Sequence, residues 1–142
     1  MQTISNSGTY HASSGESFLI SQDNPGHTLV SGRDCMLRFY PDYRYVQATD
    51  FVQLSLSCDG ATSGSITIQK RAFRTLDIFN STYEFDVQIK SHMVNRSGHY
   101  DFTFSFRDRY GREINKAALP TICFCHDLTN WANGWFPHGL VI

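Results

Sequence analysis

The residues best equipped for chemistry lie in Trp131-Ala132-Asn133-Gly134-Trp135-Phe136. Two indoles beside an amide suit a sugar. The apolar face of a sugar ring stacks on an aromatic, and an Asn side chain bonds its hydroxyls. Asn130, Asn133 and Gly134 supply a turn that leaves the indoles facing solvent. Tyr110 and His138 are candidate neighbours. Two other readings compete: both Trp pin this segment onto the protein body, or both sit in a subunit contact, where aromatics are also enriched.

Cys123-Phe124-Cys125-His126 is the one metal-like cluster in the sequence. Zinc wants four converging N or S ligands. On a strand the two Cys share a face and His126 takes the other, so only two ligands converge. Strand thiols are the preferred reading, and no metal is expected. Six His are scattered at 11, 27, 92, 99, 126 and 138. No nucleophile elbow, HExxH or local Ser/His/Asp signature accompanies them. The expectation is therefore no enzyme and no cofactor. Cys35 and Cys58 form a disulfide in an oxidising compartment, or stay two buried thiols packing as small hydrophobes.

A formal charge of −1 gives no electrostatic case for nucleic acid or an anionic membrane. Lys70, Arg71 and Arg74 read as a solvated strand end. No stretch approaches the roughly 20 apolar residues of a membrane-spanning helix. Residues 1–17 lack the apolar segment of an export leader. Asn80-Ser81-Thr82 and Asn95-Arg96-Ser97 match the glycosylation sequon.

The elements that must position these residues are strands. Residues 83–90 and 100–107 each alternate apolar and polar without an error. Successive strand side chains point to opposite faces, so each run is half-buried and antiparallel pairing follows. Residues 51–58 alternate likewise, with Val52, Leu54, Leu56 and Cys58 on one face. Phe18-Leu19-Ile20, residues 35–40, 65–70 and 122–125 are further strand candidates. Residues 73–79 are ambiguous. Asp59-Gly60 opens a loop of small residues, and Asp108-Arg109-Tyr110-Gly111 is a turn. Residues 114–119 read as one helical turn before Pro120. The inward set is Val52, Leu54, Leu56, Ile66, Ile68, Tyr83, Phe85, Val87, Ile89, Phe102, Phe104 and Phe106.

The stretch from Gly8 to Phe106 resembles a CUB domain. Gly15-Glu16-Ser17-Phe18-Leu19-Ile20-Ser21 with Asn24-Pro25-Gly26 is similar to the family's opening strand and turn. Asp34-Cys35, Pro41-Asp42-Tyr43-Arg44 and Cys58-Asp59 resemble the segment framed by its first Cys pair. Tyr83 to Lys90, Gly98-His99-Tyr100 and Phe102 to Phe106 resemble its closing strands. The resemblance implies an extracellular β-sandwich of adhesion and recognition proteins, with a Cys35–Cys58 disulfide. No Cys lies between Cys58 and Cys123, so the family's second Cys pair has no counterpart. Asp59 matches one position used for calcium by many members, but Ser91-His92 stands where an Asp is expected.

The reading is a single domain over 1–142, with an aromatic tail at 126–142. It is an all-β antiparallel β-sandwich, jelly-roll or CUB-like, of about eight or nine strands with negligible helix. The expected function is a non-catalytic binding or adhesion module for a glycan or a protein surface, placed outside the cell or on a virion. Its site centres on Trp131, Asn133 and Trp135, with Tyr110 and His138. Neither nucleic acid nor membrane insertion is expected, and a homo-oligomer is compatible with the sequence. The alternative is a structural assembly subunit of a virion or phage tail, which the missing leader and the Met at position 1 favour.

Overall fold

The computed structural model describes residues 3–77 and 79–126. Among these, ten strands form two five-stranded antiparallel sheets. The first sheet takes β1 (Gly8–His11), β2 (Ser17–Gln22), β3 (Cys35–Phe39), β7 (Thr82–Ile89) and β6 (Arg74–Asp77), in that order. The second takes β5 (Ala61–Gln69), β4 (Phe51–Cys58) and β8 (Gly98–Arg107). The far side of β8 is shared by β9 (Glu113–Ala118) and β10 (Ile122–Phe124). Pro120 lies between these two edge strands, at the kind of position where a missing N–H is tolerated.

The alternating runs form β4, β7 and the greater part of β8, and their oily faces meet. Phe39 of one sheet stands 4.5 Å, centroid to centroid, from Phe104 of the other. Phe85 meets Phe104 edge-on at 5.6 Å. Such contacts add to the large area each ring removes from water. Of the expected inward set, ten residues are buried. Ile66 and Tyr83 are half-buried. Ile66 lies on the outermost strand, where the sandwich opens. Tyr83 is the second residue of β7 and pairs with Thr75 of the short β6, beyond the stretch of β7 that pairs β3.

Several expectations change. The strand count is ten because residues 8–11, not singled out from the sequence, form β1, because the ambiguous 73–79 region yields β6, and because residues 114–118 fall in β9. Ile114 packs against the core and β9 completes the β8 ladder from Thr103 to Arg107. Sheet pairing overrides a weak local helical preference. Asp59-Gly60 opens no loop of small residues but is itself a tight hairpin turn, the small residues after it already belonging to β5. Both residues have positive φ, 50° and 87°, and Cys58 pairs directly with Ala61. Among the described residues helix is confined to α1 (Tyr43–Val46) and two 3-10 turns, at Lys70–Ala72 and Ser91–Val94. Among the described residues no helix is long and apolar enough to cross a membrane.

The expected Cys35–Cys58 bridge is absent, and all four thiols are free. Cys35 begins β3 in one sheet, with its Sγ 4.0 Å from Met36 O of the same strand. Cys58 ends β4 in the other sheet, with its Sγ 3.6 Å from Asp59 Oδ2. Each thiol is thus occupied by its own sheet.

Candidate functional site

Of the expected site, Trp131, Asn133, Trp135 and His138 lie outside the described residues. Tyr110 lies within them, at the tip of the β8–β9 turn and 69% exposed. Gly111 supplies the positive φ of 80° that the turn needs. Asp108 organises the tip, its Oδ1 accepting from the backbone N–H of Tyr110 (2.9 Å) and Arg112 (3.0 Å). The Arg109 and Arg112 guanidinium carbons stand 5.0 and 5.5 Å from the Tyr110 ring centroid. These are cation–π distances, so the tip is an exposed aromatic with two cations at its ring.

Three further connections meet at the same end of the sandwich and enclose a cleft of about 370 Å³. The first is the β1–β2 turn, closed by Ala12 N–H to Glu16 O and Gly15 N–H to Ala12 O. It presents Ser14 and Glu16. The second runs from Tyr40 into α1. Asp42 caps that short helix, accepting from Arg44 N–H at 3.0 Å, and also holds the Arg44 guanidinium. Buried Val46 and Thr49 root the segment, with Thr49 Oγ donating to Tyr45 O at 2.7 Å. Tyr43 is left 57% exposed at the rim. The third is the β6–β7 turn. Asp77 accepts from Phe79 N–H at 2.9 Å and from Asn80 Nδ2 at 2.6 Å. Phe79 is 93% exposed, and Asn80 and Ser81 face the cleft.

The charge in the cleft is acidic. Glu16 and Asp42 line it and no basic residue does. The hydrogen bond from Arg44 holds the Asp42 carboxyl below the usual carboxylate range. Glu16 accepts a 2.5 Å bond from the Ser14 hydroxyl. The cleft therefore offers tyrosine faces, neutral hydroxyl and amide groups, and ionised acceptors.

The opposite end holds the cysteines and His99. Ile122 and Phe124 are buried, so Cys123 and Cys125 point outward from β10 and are half-exposed. Desolvation raises the Cys123 thiol, helped by its neighbour Cys125. Among the described residues no three His, Cys, Asp or Glu side chains gather to hold a metal ion.

The cleft residues were not singled out as a site from the sequence. Tyr40-Pro41-Asp42-Tyr43 was the available signal, two tyrosines around a turn-forming Pro-Asp. Its meeting with Glu16 and Asn80 depends on which loops share an end, a property of topology. No protein-family model matches this chain, and the curated proteins contain no match.

Proposed function

We propose that the protein is a non-catalytic binding module whose loops at one end of the sandwich recognise a glycan or a protein surface. The observation that carries this reading is a cleft and three exposed aromatics, Tyr43, Phe79 and Tyr110, gathered on connections rooted in one core. Loops on rigid scaffolds are common recognition surfaces. The CUB resemblance supports the same reading.

A glycan array probed with the intact chain tests the reading, and hits from a monomer support it. Replacing Trp131 or Trp135 by Ala is expected to cost about 2 kcal/mol or more of binding, as central interface aromatics do. The fold is expected to survive. A sharp fall in melting temperature with unchanged binding per folded molecule would remove the Trp from the site.

The second reading is a structural subunit of a larger assembly. The partly open outer edge of β5 favours it. Residues 61–69 contain no charge and no proline, and among the described residues no strand pairs their outer side. Solution mass separates the readings. A defined ring or shell at micromolar concentration supports assembly.

A further inference from the structure

We propose that the cleft between the β1–β2, β3–β4 and β6–β7 connections takes an uncharged saccharide through adjacent hydroxyls and discriminates against acidic sugars. This rests on the glycan side of the functional reading and names the ligand class.

The cleft's size is the first argument. A volume of about 370 Å³ falls at the small end of small-ligand sites, which run from about 300 to 1,000 Å³. It accommodates a short saccharide, whereas a folded partner needs a broad surface.

The second argument is the chemistry of its walls. Tyr40 and Tyr43 line it, and a tyrosine brings both an apolar ring for the C–H side of a sugar and a phenol hydroxyl for its polar edge. Ser14, Asn80 and Thr82 add neutral donors and acceptors. An ionised carboxylate has about four acceptor positions and suits two neighbouring hydroxyls at once. One bond from Ser14 leaves Glu16 with capacity to spare.

The third argument is charge. A uronic or sialic acid would bring its carboxylate beside Glu16 and Asp42. The nearest arginine, Arg44, already spends its Nε on Asp42 at 3.0 Å and does not line the cleft. An acidic ligand would therefore lose water without gaining a cationic partner. Other cations at this end are engaged outside the cleft: Arg109 and Arg112 stand against the Tyr110 ring, Lys70 bonds Gln47 O at 3.2 Å and Arg107 bonds Gly111 O at 2.7 Å, and none of the four lines it.

The test is calorimetric titration of the full chain, made without glycosylation so that the Asn80 sequon stays bare. Matched neutral and sialylated or uronic oligosaccharides are the probes. Neutral sugars are expected to bind at least tenfold more tightly than acidic ones. Tyr43→Ala is expected to weaken neutral binding by about three- to tenfold, the scale of one aromatic contact. Glu16→Gln, a near-isosteric exchange, is expected to narrow the gap between neutral and acidic sugars. Equal or tighter binding of acidic sugars overturns the proposal. So does neutral binding that ignores both substitutions, although glycan binding itself would then stand at another site. Absence of binding to every saccharide overturns both the proposal and the glycan reading.

Discussion

Glu84 sits on the side of β7 that the alternating pattern gives to water, yet it is buried. Arg38 and Arg74 reach it from the flanking strands and also hold Asp86. Arg38 Nε lies 2.7 Å from Asp86 Oδ1 and 3.1 Å from Glu84 Oε2. Arg74 Nη2 lies 3.0 Å from Asp86 and bonds Glu84 as well. Two cations and two anions on three adjacent strands make a closed quartet, and their long stems exclude water from Glu84. Alternation shows which way Glu84 points but not what lies above it, so this burial was illegible in the sequence. The Arg38 hydrogen bond holds the Asp86 carboxyl below its ordinary range. A carboxyl lowered by folding stabilises the fold above its unfolded pKa, about 3.9, and loses that contribution as pH falls through the folded value. Melting curves from pH 6 to 2 are expected to show stability falling below about pH 4, with a shallower fall in Asp86→Asn. The thiols give a second residue-scale prediction. Burial pushes Cys35 up to about 12, which keeps it protonated and unreactive. Alkylation of native, unreduced protein is expected to modify half-exposed Cys123 and Cys125 first, and Cys35 and Cys58 only after denaturation. Failure of that last pair to react in denaturant without reductant would reveal a bridge.

Among the elements, the sheet edges differ in how they are guarded. β1 and β6 have four residues each, and β6 carries Arg74 and Asp77. β9 carries Glu113 and Lys116. β10 is covered on its outer side by bridges to Ile4 and Val30. Short length, charge and cover are the usual protections of an edge. β5 has nine residues and a single device, a bulge at Ser63. There Ser63 Oγ bonds Met93 O and Met93 packs over Gly64. Beyond the bulge, residues 65–69 are open beside a groove of about 380 Å³ bordered by Ile66, Ile68, Ala72 and Val87. If β5 is a mating edge, Thr67→Lys is expected to dissolve the assembly while leaving the melting temperature nearly unchanged. Light scattering of the variant against the parent chain decides this, and identical masses would count against edge pairing. Gly98, at the head of β8, shows how closely two elements approach. A Cβ there would lie 2.8 Å from Asp59 Oδ2 and 3.1 Å from Cys58 Sγ. Gly98→Ala is therefore expected to destabilise by about 1–3 kcal/mol in a denaturant titration, the scale of overpacking.

At the scale of the whole molecule, core and site are separate layers of information. The alternation in β4, β7 and β8 was legible because burying one face of a strand imposes a period of two. It placed Phe85, Phe102, Phe104 and Phe106 in the core from the sequence alone, and the structure buries all four. The cleft was not legible, because Glu16, Tyr43 and Asn80 come from three distant connections and no local pattern marks them. They meet because β2, β3 and β7 are neighbours in one sheet, so that their Phe39-side ends lie together. This separation predicts opposite outcomes for two aromatic truncations. Phe104 is fully buried, touches Phe39, Phe85 and Phe106, and lies between the sheets. Phe104→Ala is expected to cost about 3–5 kcal/mol of stability, because the cavity left between two ladders relaxes only in part. Binding per folded molecule is expected to be unchanged, since the ring lies between the sheets and is not among the residues lining the cleft. Tyr43 is more than half exposed at the start of α1, which is anchored instead by Val46 and Thr49. Tyr43→Ala is expected to alter stability by no more than about 0.5 kcal/mol, as surface substitutions usually do. Its effect is expected in binding instead. Chemical denaturation and ligand titration on the same two variants measure both quantities. If Tyr43→Ala unfolds the protein as Phe104→Ala does, the cleft is part of the core, and recognition must be sought on another surface.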